Sequence, residues 1–426
     1  MAEIPTGGDP HRNGSALLPA LGQPFRPERP DADARMQVGR SGRELCLYPA
    51  AFGYDLQEEL EFLSNRAMEP NIFFSARLLV PAMPRVEDKQ VRLALIRDES
   101  GAASRMRLLM PFTVERPGFS VGASIIRVWA NPFGPLGTPL VDAEDAAETI
   151  DNLLEGLARR EARLPSVLVM PDIRPNGRFA QLARAVAIGR NLPITLTDAF
   201  TRPMLASDLD GEAYLKRAVS AHHLREMRRL WRQLGRQGRL DYSVARQPEE
   251  VRLRMEEFLA LEARGWKGRK RSALINDRYR SAFAREAITN LAEVDAVRIH
   301  TLDFEGRAIA SLIVFLMAGE AYTWKTAYDE NFARYSPGKL LMMKLTEWHL
   351  EDANIVRTDS CAVPDHPIMS RFWEEREEMG SLVIGLAENG DRDVRQVAAQ
   401  LHLYRNTRNM ARMLRQKILS MAGRAE

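Results

Sequence analysis

Cysteine is almost missing from this chain. Cys46 and Cys361 stand far apart and without metal-ligand spacing, which excludes a disulfide framework and fits a reduced, cytoplasmic setting. Histidine is scarce as well, and His222 and His223 with Glu226 lie in a cationic helical stretch that offers no further ligand, so no metal site is expected. No run of eighteen apolar residues occurs, which excludes a transmembrane helix. A Gly-x-Gly-x-x-Gly following a strand, a Walker loop, a Gly-x-Ser-x-Gly elbow and a His-Glu-x-x-His pair are all lacking. Their absence argues against a dinucleotide fingerprint, a P-loop, a hydrolase nucleophile elbow and a zinc protease helix. Aromatic residues do not interleave the basic runs, apart from Trp231 and Trp266, so the pattern does not favour a nucleic-acid stacking platform.

What is present belongs to a folded protein of two ordinary domains: 426 residues, 45% hydrophobic and 27% charged, with a net charge of +3. The first 45 residues, rich in Gly, Pro, Arg and Asp and without an apolar core segment, read as a disordered leader rather than a signal peptide. Basic residues gather in two helical stretches, Lys216 to Arg239 and Arg392 to Arg424, and in the cluster from Lys267 to Arg271. Such runs read first as solvated helix faces and second as docking surfaces for an anion.

The order of elements repeats. After a helix at Leu56 to Ala67, strands are expected at Val91 to Arg97, Arg105 to Glu115 and Val121 to Trp129. The Pro/Gly-rich loop Asn131 to Pro139, a helix at Ala143 to Arg160, a strand at Ser166 to Met170, a helix at Arg178 to Arg190 and a strand at Ile194 to Thr197 follow. In the second half a strand at Leu240 to Val244 and helices at Glu249 to Ala263 and Arg278 to Leu291 precede three strands, Val297 to Asp303, Ala308 to Leu316 and Ala321 to Ala327. A helix at Lys339 to Asp352, a strand at Ile355 to Ser360, a helix at Ile368 to Glu377 and a strand at Ser381 to Gly385 complete it. Three strands, helix, strand, helix, strand occur twice.

One segment distinguishes the copies. Tyr335 to Leu341 places Ser336, Pro337 and Gly338 in a turn between a strand and a helix that opens with Lys339. Unpaired N–H groups and the positive end of the macrodipole make such a helix start a cradle for phosphate. The equivalent helix of the first copy opens with Asp142, Glu144 and Asp145, which satisfy the terminus themselves and repel an anion. The second copy therefore reads as the cofactor half.

Phe258 to Arg269, the strand Tyr322 to Asp329 leading into Tyr335 to Leu341, and Thr358-Asp-Ser360 resemble the GNAT superfamily. Within it the chain is similar to the CelD-type acetyltransferases linked to cellulose and exopolysaccharide biosynthesis, whose tandem halves are also similar to the Fem peptidyl transferases. The resemblance spans roughly Leu209 to Leu386. It implies an α/β fold with a mixed sheet, made of two tandem GNAT-like acyltransferase domains and a long C-terminal helix. The boundaries expected are 1–45 for the leader, 46–205 and 206–390 for the domains, and 391–426 for the helix.

The resemblance also implies transfer of an acyl group, such as acetyl from acetyl-CoA or another acyl-CoA, to an amine by direct attack in a ternary complex, without a metal. Carried over, Trp324, Lys325 and Thr326 lie beside the thioester, and Ser336, Pro337, Gly338 and Lys339 meet the pyrophosphate. Two departures stand out. Arg334 and Leu340 do not match the family's usual phosphate loop, and Phe372 and Trp373 stand near the place of a tyrosine that protonates the departing thiolate, leaving Tyr328 as its substitute. The acceptor implied is a small-molecule or glycan amine. A Fem-like transferase using charged tRNA docked on Lys216 to Arg239, and a non-catalytic tandem scaffold, are the alternatives.

A base is needed for the attacking ammonium. Glu262, ending a helix before Gly265, and Asp359, ending a strand, are the candidates, with their ordinary readings as a solvated carboxylate and a turn cap. His366, after Asp365, is a substrate-side candidate or an incidental loop histidine. Trp266, Lys267, Trp324 and Tyr328 would line a substrate pocket, Trp324 having a core reading too, with Lys325 and Tyr322 alternating with it across the strand. Cys361 is a conceivable nucleophile with no histidine placed to activate it.

Overall fold

The apolar runs separated by Gly and Asp turns build a single mixed sheet. The computed structural model describes residues 31–100, 103–120, 122–364 and 366–422. The first half contains strands β1 (Ala34–Gln37) and β2 (Arg43–Pro49), helices α1 (Gln57–Ser64) and α2 (Ala76–Ala82), and strands β3 (Arg92–Ser100), β4 (Ala103–Glu115), β5 (Ile125–Val128) and β6 (Leu140–Val141). Helix α3 (Ala146–Ala158), strand β7 (Val167–Ile173), helix α4 (Arg178–Gly189) and strand β8 (Ile194–Leu205) close it. The second half opens with α5 (Gly211–Ala218), α6 (Ala221–Gly235), β9 (Leu240–Ala245), α7 (Pro248–Arg264), α8 (Trp266–Arg269) and α9 (Arg278–Ala292). It continues with β10 (Val297–Phe304), β11 (Arg307–Met317), β12 (Glu320–Tyr328), α10 (Pro337–Glu351), β13 (Arg357–Asp359), α11 (Met369–Phe372), β14 (Glu375–Gly385) and α12 (Asp391–Ala422).

Strand order is β1-β2-β3-β4-β5-β7-β14-β8-β13-β12-β11-β10-β9, with β6 on the flank of β4. Among the described residues, β5/β7 and β12/β13 pair in parallel and the other strand pairs are antiparallel. The last strand of each half crosses to the other: β14 lies between β7 and β8, and β8 lies between β14 and β13. Each half thus completes its sheet with its partner's strand, and the antiparallel β8/β14 pair sits on the seam. Other details repeat across it. The residues opening α3 and α10, Asp145 and Ser336, are both left-handed (φ 57 and 50), as are Asp172 and Cys361 near the ends of β7 and β13 (φ 50 and 47).

Burial follows the layers. One core runs through both halves, from Leu45 and Leu79 to Phe258, Phe283 and Phe315. A second packs α5, α6 and α10 on the other face of β10 to β12, through Tyr214, Leu230, Leu341 and Leu345. A third holds α12 on the seam with Val394, Val397 and Leu401 against Val169 and Val383. The mixed α/β sheet and the long C-terminal helix match the fold read from sequence.

Three expectations need correction. The leader expected through residue 45 contains β1 and the start of β2, whose Leu45 and Leu47 are fully buried; the part before residue 31 lies outside the described residues, as does Arg424 at the end of the basic C-terminal stretch. The helix expected at Ile368 to Glu377 is only the short α11, because Glu375 to Glu378 alternate between exposed and half-buried positions as the leading part of β14. The strand expected at Ile194 to Thr197 extends to Leu205 and forms the seam.

Candidate functional site

Strands β12 and β13 pair only at Glu320/Arg357, Ala321/Thr358 and Tyr322/Asp359. Beyond that point the chain after β13 turns toward β8, the Ser360 N–H donating to the Pro203 carbonyl at 3.3 Å. The Thr323 hydroxyl donates to the Ser360 carbonyl at 2.5 Å, and from there to Tyr328 the edge of β12 that faced β13 has no strand partner. A wedge opens at the end of a parallel strand pair, where α/β sheets collect their ligands. Opposite it, the register of β11 against β12 jumps between Ile313 and Val314. This bulge has a local consequence: Trp324 and Lys325 turn to the same face instead of alternating as expected, since both approach the Phe133 ring.

The start of α10 stands beside the wedge. Pro337 has no N–H, those of Lys339 and Leu340 turn to the Ser336 carbonyl at 2.9 and 3.2 Å, and that of Gly338 has no acceptor among the described residues. No side chain caps the helix and no acid stands in its first turn. By contrast Asp210, Ser220 and Asp277 cap α5, α6 and α9. A Cβ at Gly338 would meet only the Tyr328 ring, at 3.8 Å, so Tyr328 and the helix start are neighbours. Lys339 has no ion-pair partner among the described residues.

In the first half the corresponding places are filled. The edge of β7 beyond Val169 is taken by its own loop, the Gly137 N–H donating to the Asp172 carbonyl at 3.2 Å. The approach is so close that a Cβ at Gly137 would lie 2.1 Å from the Pro171 oxygen. At the start of α3, Asp142, Glu144 and Asp145 are engaged by Arg66, Arg105, Arg107 and Arg40. The helix terminus that sequence had marked as self-satisfied carries a closed ion network.

That same first-half loop reaches into the second half's site. Asn131 shapes its tip by accepting from the Phe133 and Gly134 N–H groups (2.9 and 3.1 Å), while Asn71 and Arg202 donate to carbonyls further along it. The Phe133 carbonyl accepts from the Trp324 indole at 2.9 Å. Phe133, Phe283, Phe315 and Trp324 form an aromatic wall, and the Lys325 ammonium sits 4.4 Å from the Phe133 centroid. Burial, together with the charges of Lys267 and Arg280, pushes Lys325 down to about 8. Neither Phe133 nor Arg280 was legible as a site residue, since nothing local in sequence joins them to β12.

Of the expected bases, neither is free. Glu262 is buried, accepting from the Lys267 ammonium at 2.9 Å and from the Leu274 N–H at 2.7 Å. It is thus not the solvated carboxylate of its ordinary reading; it fixes Lys267, which also donates to the Thr326 carbonyl at 2.7 Å. Asp359 is buried between Arg202 and Arg174 and accepts from the Cys361 N–H at 2.8 Å. Burial opposes its charge, but the two guanidinium groups outweigh it and hold its carboxyl below the usual range. These ties run to β7 and β8, so Asp359 locks the seam and is closed to an incoming amine.

The remaining candidates are dispersed. Trp266 is exposed on a lip, under Lys270, with its N–H held by Glu330 at 2.8 Å. His366 accepts from the Met369 N–H at 3.2 Å, and burial lowers its pKa; Asp365 lies outside the described residues. Cys361 is pushed well above the ordinary thiol range by burial and by Asp359, against a role as nucleophile. No group of three or more potential metal ligands occurs among the described residues. Two cavities lie elsewhere. One, of about 370 Å³, is lined by Arg77, Arg246 and Arg298 between the halves; the other adjoins Arg40 and Arg107.

Comparison with known proteins agrees with this geometry. Residues 221–360 match the family model described as an acetyltransferase (GNAT) domain, the stretch that holds the wedge, the bulge and the start of α10. No curated protein matches the chain. Among solved structures, FemX superposes with a TM-score of 0.52 at 8% identity, covering 77% of this chain and 95% of FemX. The L-PGS of Bacillus licheniformis gives a TM-score of 0.48 at 14% identity, covering 81% and 96%. A tandem GNAT protein from the clavulanic acid biosynthesis pathway gives 0.39 at 15%, covering 80% and 99%. Residues 221–360 of the second half are thus similar to a GNAT acetyltransferase domain, in a chain whose fold superposes on that of FemX.

Proposed function

We propose that this chain transfers an acyl group, acetyl being the simplest, from acyl-CoA to an amine by direct attack in a ternary complex. One observation carries the reading: the strand wedge opens beside a helix start with neither a side-chain cap nor an acid in its first turn. In this reading Ser336, the Gly338 N–H and Lys339 receive the pyrophosphate, Pro337 shapes the turn, and pantetheine enters between β12 and Ser360. The thioester lies along Trp324, Lys325 and Thr326. Tyr328, beside Gly338, supplies the proton to the departing thiolate.

Neither Glu262 nor Asp359 is free to act as base, and the surroundings lessen the need for one. A half-buried pocket with Lys267, Lys325 and Arg280 disfavours any further ammonium by desolvation and like charge. Lys325 reports the size of that effect, being lowered to about 8. An acceptor amine in the same place is shifted in the same direction, toward its neutral, nucleophilic form. Following the CelD-type resemblance, the acceptor is an amino group on a sugar or exopolysaccharide precursor, and the setting is cytoplasmic.

The test is a thermal shift with coenzyme A and acetyl-CoA. Ligand at 100 times its Kd should add about 2.7 kcal/mol to stability. A second reading, Fem-like transfer from charged tRNA, is favoured by Arg225 and Arg232 on α6, which have no carboxylate partner among the described residues. Absence of any shift, combined with tRNA binding that weakens as salt is raised, would replace the first reading with the second.

A further inference from the structure

The acceptor side of the wedge holds more positive charge than its acids answer. Glu262 spends one oxygen on Lys267 and the other on the Leu274 N–H. Arg280 has only Asp277, at 3.5 Å. Lys325 has no hydrogen-bond or ion-pair partner among the described residues, and its ammonium lies 4.4 Å from the Phe133 centroid and 5.9 Å from that of Trp324. Arg280 shares the Phe133 ring, its guanidinium 5.6 Å from the centroid. Two cations therefore approach the same aromatic ring, and the acid that acts on Lys325, Glu262, is already committed to Lys267 and the Leu274 N–H. A lysine kept only to fill space there would be better replaced by methionine, because its ammonium pays for desolvation and repulsion without return.

The approach to this point has the same character. On the α8 lip Lys270 lies over Trp266 (5.0 Å) and Arg269 pairs with Glu330, and at the start of α9 Arg278 lies over Tyr279 (4.6 Å). Cations mounted on aromatic faces along an entrance attract anions and raise their local concentration.

Resting on the acyl-transfer reading, we infer that the acceptor amine belongs to an anionic molecule, whose phosphate or carboxylate docks between Lys325 and Arg280 on the Phe133 ring. Lys325 adjoins Trp324, the extra residue of the bulge, so anion and amine are separated by only a few bonds. This admits amino-sugar phosphates, amino acids and aminophosphate headgroups, and disfavours neutral glycan amines.

Lys325 itself provides a readout that needs no donor. Its rate of trinitrophenylation on the full chain, followed by peptide mass spectrometry at constant ionic strength, should fall about tenfold in saturating glycerol 3-phosphate or on phosphatidylglycerol vesicles. Glycerol, chloride and phosphatidylcholine vesicles should leave it unchanged. Protection by the free ester alone assigns a soluble acceptor, and protection by the vesicles alone assigns a lipid headgroup; either supports the inference. Arg280→Gln should lose the protection, whereas Gly338→Asp, which blocks the other anion site, should keep it. Labelling that no anion slows, or that chloride slows equally, overturns the inference. Coenzyme A stabilisation measured on the same sample separates the two ideas: a shift without protection removes the anionic acceptor alone, and protection without a shift removes the acyl-CoA donor.

Discussion

Asp359 shows how a residue's surroundings decide its role. Its carboxylate stands between Arg202 and Arg174 with 1% exposure, and removing one member of a buried ion group leaves the others charged and unpaired. Asp359→Asn is therefore expected to cost about 3–5 kcal/mol in urea unfolding, while the fraction that remains folded keeps its turnover per coenzyme A site. Normal stability with lost turnover would restore it as a base. His300 and His349 behave differently. Their rings lie 5.2 Å apart, His300 meeting Tyr242 and His349 meeting Thr358. Burial holds both neutral, lowering His349 to about 3. The unfolded chain takes up these protons near the ordinary value of about 6.5. Between those limits the unfolded state binds more protons, so stability is complete above about pH 6.5 and declines as pH falls toward 3. Urea midpoints from pH 7.5 to about 4.5 should fall, and His349→Gln should make the decline shallower.

At the scale of elements, the open start of α10 is the feature most directly tested by one substitution. Gly338→Asp places a carboxylate where an anion is proposed to bind. A Cβ there meets only ordinary contact with Tyr328, and an acid at a helix start stabilises by about 0.3–1 kcal/mol. The melting temperature should hold or rise while the shift from coenzyme A disappears; an unchanged shift would move the donor site elsewhere. This helix start was legible in sequence because its signals are local: Ser-Pro-Gly, Lys339, and the contrast with Asp142 to Asp145. So were most strands, whose apolar runs are bounded by Gly and Asp turns. The bulge at Trp324 was not legible, because nothing in Tyr322 to Tyr328 announces the skipped partner, and parity alone put Lys325 on the wrong face. The contact between Trp324 and Phe133 spans 191 residues, and no periodicity carries that distance. Seam strands were misjudged for another reason. Arg202 in β8 and Glu375 to Glu378 in β14 read as loop or helix, yet they are strand residues, Arg202 satisfied by Asp359 from across the seam.

For the whole molecule, the exchange of β8 and β14 makes the halves dependent. Residues 206–426 alone would lack the strand that pairs with both β13 and β14, exposing two edges that invite association. That fragment is expected to aggregate, and co-expression with residues 1–205 is expected to restore a one-to-one complex on size-exclusion chromatography. A monomeric, cooperatively melting fragment would contradict this account of the seam. The first half, whose own strand edge is covered at Gly137 and whose helix start is neutralised, lends β8 to the sheet and Phe133 to the proposed site in the second half. Because β14 is held by β7 and β8, and β8 by β14 and β13, neither half can be removed without uncovering the sheet of the other, so a lesion confined to one half is felt as a loss of stability by both.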